Sequence, residues 1–413
     1  MKYFIAGLCS LVLFGGCLKD SCINTFTIYY PVFKSLAEVR SDMKSAAPEA
    51  INQTGKIYLY KNFIFLNEYG RGVHIIDNAD PASPVNLSFL PIPGNIDIAV
   101  KDDYLYADCY SDLAVFNISD ISAIAPVTFV NSVFPGRGYY TNIASPDSIQ
   151  VIVDYIARDT VVQCDTYNTW VYNNCDRCAT ADGTRFYTTA SYSGSGTGGS
   201  MAAFTILNNF LYTIYYNSLY GFDLANAADP LLKDTTALAV SAETIYPFQQ
   251  NLFIGTPSGM FIYDVSNPSN PAALGQFEHA RSCDPVIADD DNAYVTLRSG
   301  SACAGFTNQL DVLSIGNLLS PTLIRSYQMS NPHGLSKDGQ WLFICDGTDG
   351  LKIFNAADPA NVQLHKHIEG LETYDVITND GIALVVAKDG LYQFDYSNID
   401  DIKQVSKISI QHN

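Results

Sequence analysis

One recurring phrase constrains this chain more than any other feature. It is an apolar strand, an Asp or Asn, then a turn closing in Asp-Pro or Asn-Pro. It reads Val73-His74-Ile75-Ile76-Asp77-Asn78-Ala79-Asp80-Pro81 and returns as Met260-Phe261-Ile262-Tyr263-Asp264-Val265-Ser266-Asn267-Pro268. A third copy is Leu351-Lys352-Ile353-Phe354-Asn355-Ala356-Ala357-Asp358-Pro359, and looser copies end at Asn117, Asp223, Asp311 and Asp395. Copy ends lie 40 residues apart from Asp77 to Asn117, 41 from Asp223 to Asp264, then 47, 44 and 40 to Asp311, Asn355 and Asp395. A repeat of this period implies a stacked or closed array of one unit.

The copy at 94–130 shows what the unit is. Residues 96–100 read as a short strand, Lys101-Asp102-Asp103 as a turn, and 104–108 as a second strand. Residues 112–117 form a third strand, Ser119-Asp120 opens a longer turn, and 126–130 form a fourth. Four short strands joined by tight turns make an antiparallel meander. Pro after the third strand ends its ladder, and the Asp beside it nucleates the turn. One meander cannot bury both faces of its sheet, but radial neighbours bury them for each other, as in a β-propeller. The gap of 106 residues between Asn117 and Asp223 has room for a degenerate copy plus an insertion. Residues 150–154 and 185–188 read as strands of that copy, with Asn173-Asn174-Cys175 and the Gly/Ser run 193–200 as the insertion. The expected fold is all-β, a propeller of about eight four-stranded antiparallel blades. If 131–199 is only an insertion, the count is seven.

The matching runs ending at Asp77, Asp264 and Asn355, each with its Asp-Pro or Asn-Pro turn, resemble the LVIVD repeat of bacterial and archaeal cell-surface proteins. The resemblance covers roughly residues 55–410. It implies a β-propeller at the cell surface and carries no catalytic residues with it.

The N-terminus supplies an address. Met1-Lys2 and the apolar run 3–14 have the layout of an export signal, too short to span a bilayer. The run ends Leu13-Phe14-Gly15-Gly16-Cys17, which resembles a bacterial lipobox with Phe14 where Leu is usual. The resemblance implies cleavage before Cys17 and lipid on its thiol. The plainer alternative is a secreted protein whose signal contains a Cys. Lys19-Asp20 resembles a surface-export tag, and no Asp directly follows Cys17. The chain therefore reads as signal 1–16, a leader 17–54 held to the membrane by lipid alone, and a propeller 55–410 with an insertion around 155–200. Its expected place is the cell envelope, as an outer-membrane lipoprotein exposed at the surface.

Of ten cysteines, Cys9 leaves with the signal and Cys17 takes lipid, so eight remain in an oxidising compartment. Cys175-Asp176-Arg177-Cys178 lacks the second pair of a zinc ribbon and reads as a loop disulfide, with Cys164 a further partner. Cys283 and Cys303 bracket one blade and form the candidate disulfide of the array. Cys109 and Cys345 read as free buried thiols, and Cys22 has no assigned partner. The formal charge is -19 and Lys and Arg do not cluster, which argues against nucleic acid.

Aligning the copies on their second strands brings Asp97, Glu243, Asp284, His333 and Asp375 to the start of the first strand, within about one residue. The first strand lines the channel of a propeller, so these side chains form a candidate ligand-binding ring at one mouth. Oxygen ligands of this kind suit Ca²⁺. The alternative is that each caps a local turn. Loops between second and third strands reach the same face and carry Glu68, Arg71, His74, Asp108, Tyr110, Tyr215, Tyr216, Arg298, Asp346, Asp349 and Lys388. Exposed Tyr beside Asp and Arg suits a sugar or a peptide. No G-x-S-x-G elbow, H-E-x-x-H or P-loop is present, and His365 and His367 read as a surface pair. The expected function is a monomeric, non-enzymatic binding or scaffold module for an envelope protein or glycan. The rival is a carbohydrate hydrolase or lyase working through the channel-mouth acids.

Overall fold

Seven meanders close into a ring, with residues 57–91, 98–130, 204–237, 244–278, 286–328, 335–368 and 373–409 as blades 1 to 7. The computed structural model describes residues 23–135, 137, 139–140, 150–163, 179–180, 200–279, 285–299 and 307–411. Each blade pairs its four strands in chain order, first to fourth. First strands of neighbouring blades approach one another, so the first strand is innermost. The core lies between blades. Tyr106 and Val115 of blade 2 pack with Phe204 and Tyr212 of blade 3, and Ile57 and Ile64 of blade 1 with Leu384 and Val386 of blade 7. That last cluster closes the ring.

The recurring phrase is a pair of Asx turns. At the end of the third strand, Asp77, Asn117, Asp223, Asp264, Asn355 and Asp395 each accept the backbone N–H two residues on. A second acceptor follows three residues later, at Asp80, Asp120, Asn226, Asp358 and Asn398. The turn is also where the neighbouring blade docks. Tyr106, Tyr212 and Tyr327 hydroxyls donate to the carbonyls of Ala227, Pro268 and Pro359 in the next blade's turn. Every third-to-fourth pairing shifts register at one place, after Ile75, Val115, Gly221, Ile262, Val312, Ile353 and Gln393. A bulge at that place strengthens the local twist.

Two sequence expectations change. The fifth copy ends at Ser314, not at Asp311, because Asp311 lies inside the third strand opposite Val295. It is buried there and accepts from Gln309 and Ser326 at 2.6 Å. The second change is the blade count, which is seven. Strand Gln150–Gln163 is 14 residues long, where regular blade strands have 3 to 7. It pairs with the N-terminal strand Ile23–Ser35 in a sheet completed by Tyr139–Tyr140 and Ala179–Thr180. Strands of that length joined to a leader strand do not make a radial blade.

The chain divides into two compact units, 1–34 with 152–188, and 35–151 with 189–413. In the smaller, Ile28 lies opposite Thr180, Thr27 Oγ1 donates to Asp159 at 2.8 Å, and the Arg158 guanidinium lies over Tyr30. The larger holds the propeller. It begins with helix α1, Leu36–Asp42, capped by Ser35 and Glu38 in a reciprocal capping box. Val39 and Met43 are buried, and Arg40 pairs with Asp112 and lies over the Phe129 ring of blade 2. Ala46 then bridges to Phe89 on the outer strand of blade 1, covering part of an open sheet edge.

Candidate functional site

Strand register decides which residues form a true ring at the channel. The position before Ile98, opposite Asp108, is taken in blades 1 to 7 by Lys56, Asp97, Ala203, Thr244, Pro285, Gly334 and Asp375. Asp97 and Asp375 therefore match each other. Glu243 and His333 fall one residue earlier, a step that turns a side chain to the other side of a strand. Asp284 lies outside the described residues. Lys56, the cation of the set, carries no Asp-Pro-like signal; only its place before a first strand marks it.

Asp97 is buried and fully engaged. Its Oδ2 lies 2.7 Å from Lys56 Nζ, itself buried, and accepts the Ala203 and Phe204 amides of blade 3. Its Oδ1 accepts the Ile98 amide at 2.7 Å. Burial pushes the Asp97 pKa up, against the pull of Lys56 and the amides. Directly across the hairpin, buried Asp108 accepts the Ile96 and Asp97 amides and Asn95 Nδ2, at 2.8 to 2.9 Å, and pairs with Arg137. Asn95 is also joined to Asn67 of blade 1. This is a satisfied buried network, which rigidifies the joint it occupies.

Asp375 is also buried. Ser200 Oγ donates to its Oδ1 at 3.5 Å and accepts the Leu335 amide at 2.8 Å. A Cβ on Gly334 would stand 1.8 Å from that carboxylate oxygen, so glycine leaves the room Asp375 occupies. Glu243 and His333 belong to a different group. The Arg298 guanidinium donates to His333 Nδ1 at 2.9 Å, Glu243 acts on Arg298 through space, and His333 packs edge-on against Tyr374. Burial, then the Arg298 charge, holds the His333 pKa down to about 3, so the ring is neutral. Of the four expected residues that are described, Asp97 and Asp375 thus share one register position, and Glu243 and His333 another.

The loops of the same face are mostly paired within themselves. Glu68 bonds His74 Nε2 at 2.9 Å and Arg71 at 2.7 Å, with Glu49 on the other side of Arg71. Burial raises the Glu68 pKa, yet His74 and Arg71 outweigh it and hold it below the usual range. Buried Asp346 accepts Lys352 at 2.6 Å and the Ser330 and Asn331 amides. Lys388 pairs with Glu372 at 2.8 Å. Tyr216 stands out at 45% exposure, its ring 4.5 Å from that of Tyr215, over which Arg137 lies. Its backbone is left-handed, as is that of Tyr110. Among the described residues, no group of three or more His, Cys, Asp or Glu side chains is arranged to hold a metal ion. Cys109 and Cys345 are buried, and burial pushes both thiol pKa values up. Cys17, Cys22, Cys164, Cys175, Cys178, Cys283 and Cys303 lie outside the described residues.

A comparison with curated proteins finds no match. Solved structures match in fold. The computationally designed Ika8 protein superposes with a TM-score of 0.52 at 9% identity, over 90% of this chain and 92% of its own. Saccharomyces cerevisiae Sqt1 gives 0.52 at 7% identity, over 88% and 87%. Kluyvelomyces marxianus Hsv2 gives 0.50 at 8% identity, over 88% and 100%. At such identities the likeness concerns architecture only, and one architecture hosts many functions. The family description LVIVD repeat matches residues 252–278. Those residues are the last three strands of blade 4, from buried Leu252 through the Asp264 turn to Glu278. The chain is thus a seven-bladed β-propeller that carries an LVIVD repeat.

Proposed function

We propose that the chain is a lipid-anchored propeller of the cell envelope whose mouth face binds another envelope component, a protein or a glycan, without acting on it chemically. The observation that carries this reading is the employment of the channel acids. Asp97 is held by Lys56 and three backbone amides, and Asp375 lies against Ser200 and Gly334. A glycosidase needs two carboxylates about 5–9.5 Å apart that reach the substrate. Tyr216, by contrast, offers an exposed aromatic face beside Tyr215. Aromatic rings with a polar edge contribute to sugar and peptide recognition alike.

The anchor in this reading is Cys17, from the lipobox resemblance. Acyl chains contribute about 0.8 kcal/mol per buried methylene, so two or more hold a protein to a membrane. Replacing Cys17 with Ser releases the protein or leaves an uncleaved precursor. Equal fatty-acid label in wild type and variant would end the lipid reading. The binding reading is tested by crosslinking capture from native envelopes together with a glycan array. Tyr216→Ala should weaken the captured interaction about tenfold, near 1.4 kcal/mol, without lowering the melting temperature. Turnover of an envelope polysaccharide that disappears in Glu243→Gln would favour the hydrolase instead.

A further inference from the structure

We infer that the channel-mouth acids serve as a receptor for the chain's own segment at residues 200–203, which crosses the central channel as a strut and seals it. The segment leads into the first strand of blade 3, and its four residues are buried, at 0, 9, 2 and 6% exposure. Its C-terminal end is held on one side of the ring. There the Ala203 amide and that of Phe204 donate to Asp97 of blade 2, and the Ala202 carbonyl accepts the Ile245 amide of blade 4 at 2.8 Å. Its N-terminal end is held on the opposite side. There Ser200 Oγ accepts the Leu335 amide of blade 6 and donates to Asp375 of blade 7. Three residue steps of extended chain span about 10 Å, enough for that crossing.

The two matching acids of the ring are thus the two anchor points of one segment, and they bind its two ends by different chemistry. Asp97 takes backbone amides, with Lys56 of blade 1 balancing its charge. Asp375 takes a hydroxyl. Gly334 supplies the space that Asp375 needs, and Ser200 fills the gap in front of both. Such a strut has a purpose in this ring. Every blade is built from consecutive strands, so no strand passes between blades 1 and 7 at the closing joint. Apolar packing and a few hydrogen bonds hold that joint, and a segment tied to blades 2, 3, 4, 6 and 7 resists its opening. The strut holds the ring whatever the face binds.

Cys345 reports on the seal. It is a free, fully buried thiol whose backbone pairs with Gly334, beside Asp375. Cys109 of blade 2 is an equally buried control. The test is maleimide labelling of the folded full-length protein, read at each cysteine by peptide mass spectrometry. Ser200→Ala removes only the hydroxyl and is expected to raise the Cys345 labelling rate about tenfold with Cys109 unchanged. Ser200→Thr, which keeps the hydroxyl, should restore the slow rate. Asp375→Asn should raise the Cys345 rate in the same way. If Ser200→Ala leaves Cys345 as slow as wild type, or speeds both thiols equally, the strut is overturned.

Discussion

Lys56 balances the buried charge of Asp97 at the channel. Its ammonium and the Asp97 carboxylate are 2.7 Å apart and almost without solvent. Removing one member of such a pair leaves the other charge stranded, at a cost of roughly 3–5 kcal/mol. Lys56→Met should therefore lower the urea midpoint strongly at an unchanged m-value, and adding Asp97→Asn should recover part of the loss. His333 makes a pH prediction. Its pKa is about 3 in the folded protein, because of burial and Arg298, against an ordinary value of 6.5. Between those values the unfolded chain binds more protons, so stability falls as pH drops from 6.5 toward 3. The slope is about 1.4 kcal/mol per pH unit from this one group. Urea midpoints from pH 7 to 4 should fall less steeply in His333→Gln than in wild type. Parallel curves would mean that His333 is not held neutral.

At the scale of the element, the blade is a meander locked by a double Asx turn. The first acceptor ends the third strand and the second shapes the descent to the fourth. Each such bond contributes about 0.5–1.5 kcal/mol. Asn117→Ala should cost that much in an equilibrium melt, while Asn117→Asp, which keeps the acceptor, should cost little. The same turn presents a carbonyl to the preceding blade's Tyr, so one motif serves local shape and inter-blade docking together. This double use gives a physical reason for the phrase to recur more faithfully than the strands around it. Blades 4 and 5 are the exceptions: in blade 4 only the first acceptor, Asp264, takes an amide through its side chain, and blade 5 reverses this. Its strand ends in Ser314, and only the second acceptor, Asn317, takes an amide, that of Leu319.

For the whole molecule, the decisive place is the joint between blades 7 and 1. The residue before the bulge is apolar or glycine in six blades and Gln393 in the seventh. Gln393 is fully buried, exchanges two hydrogen bonds with Asn78 at 3.0 and 2.7 Å, and donates to the Pro81 carbonyl of blade 1. Thr54 Oγ1 to the Ala387 carbonyl and the Gln411 amide to that of Ile51 complete the closure. Gln393→Leu would leave Asn78 without these partners and should destabilise by about 1–3 kcal/mol. A denaturation curve checks it, and an unchanged midpoint would show that the apolar cluster of Ile57, Leu384 and Val386 closes the ring unaided.

Local information in the chain was enough for the meander, its turns and its stacking into a propeller. A period near 40 residues, strand alternation and Asx-Pro chemistry all act within one blade. The burial of Cys109 and Cys345 was legible for the same reason, since they sit at the ends of second strands. Tertiary structure alone decided the rest. Whether residues 131–199 form a blade depended on a strand partner more than a hundred residues away, at Ile23–Ser35. Which acids share the channel depended on register, where one residue separates Asp375 from the place of His333. And the occupant of that channel is Ser200, whose partners Leu335 and Asp375 lie 135 and 175 residues ahead. No local pattern encodes such a meeting, because it exists only once the ring has closed.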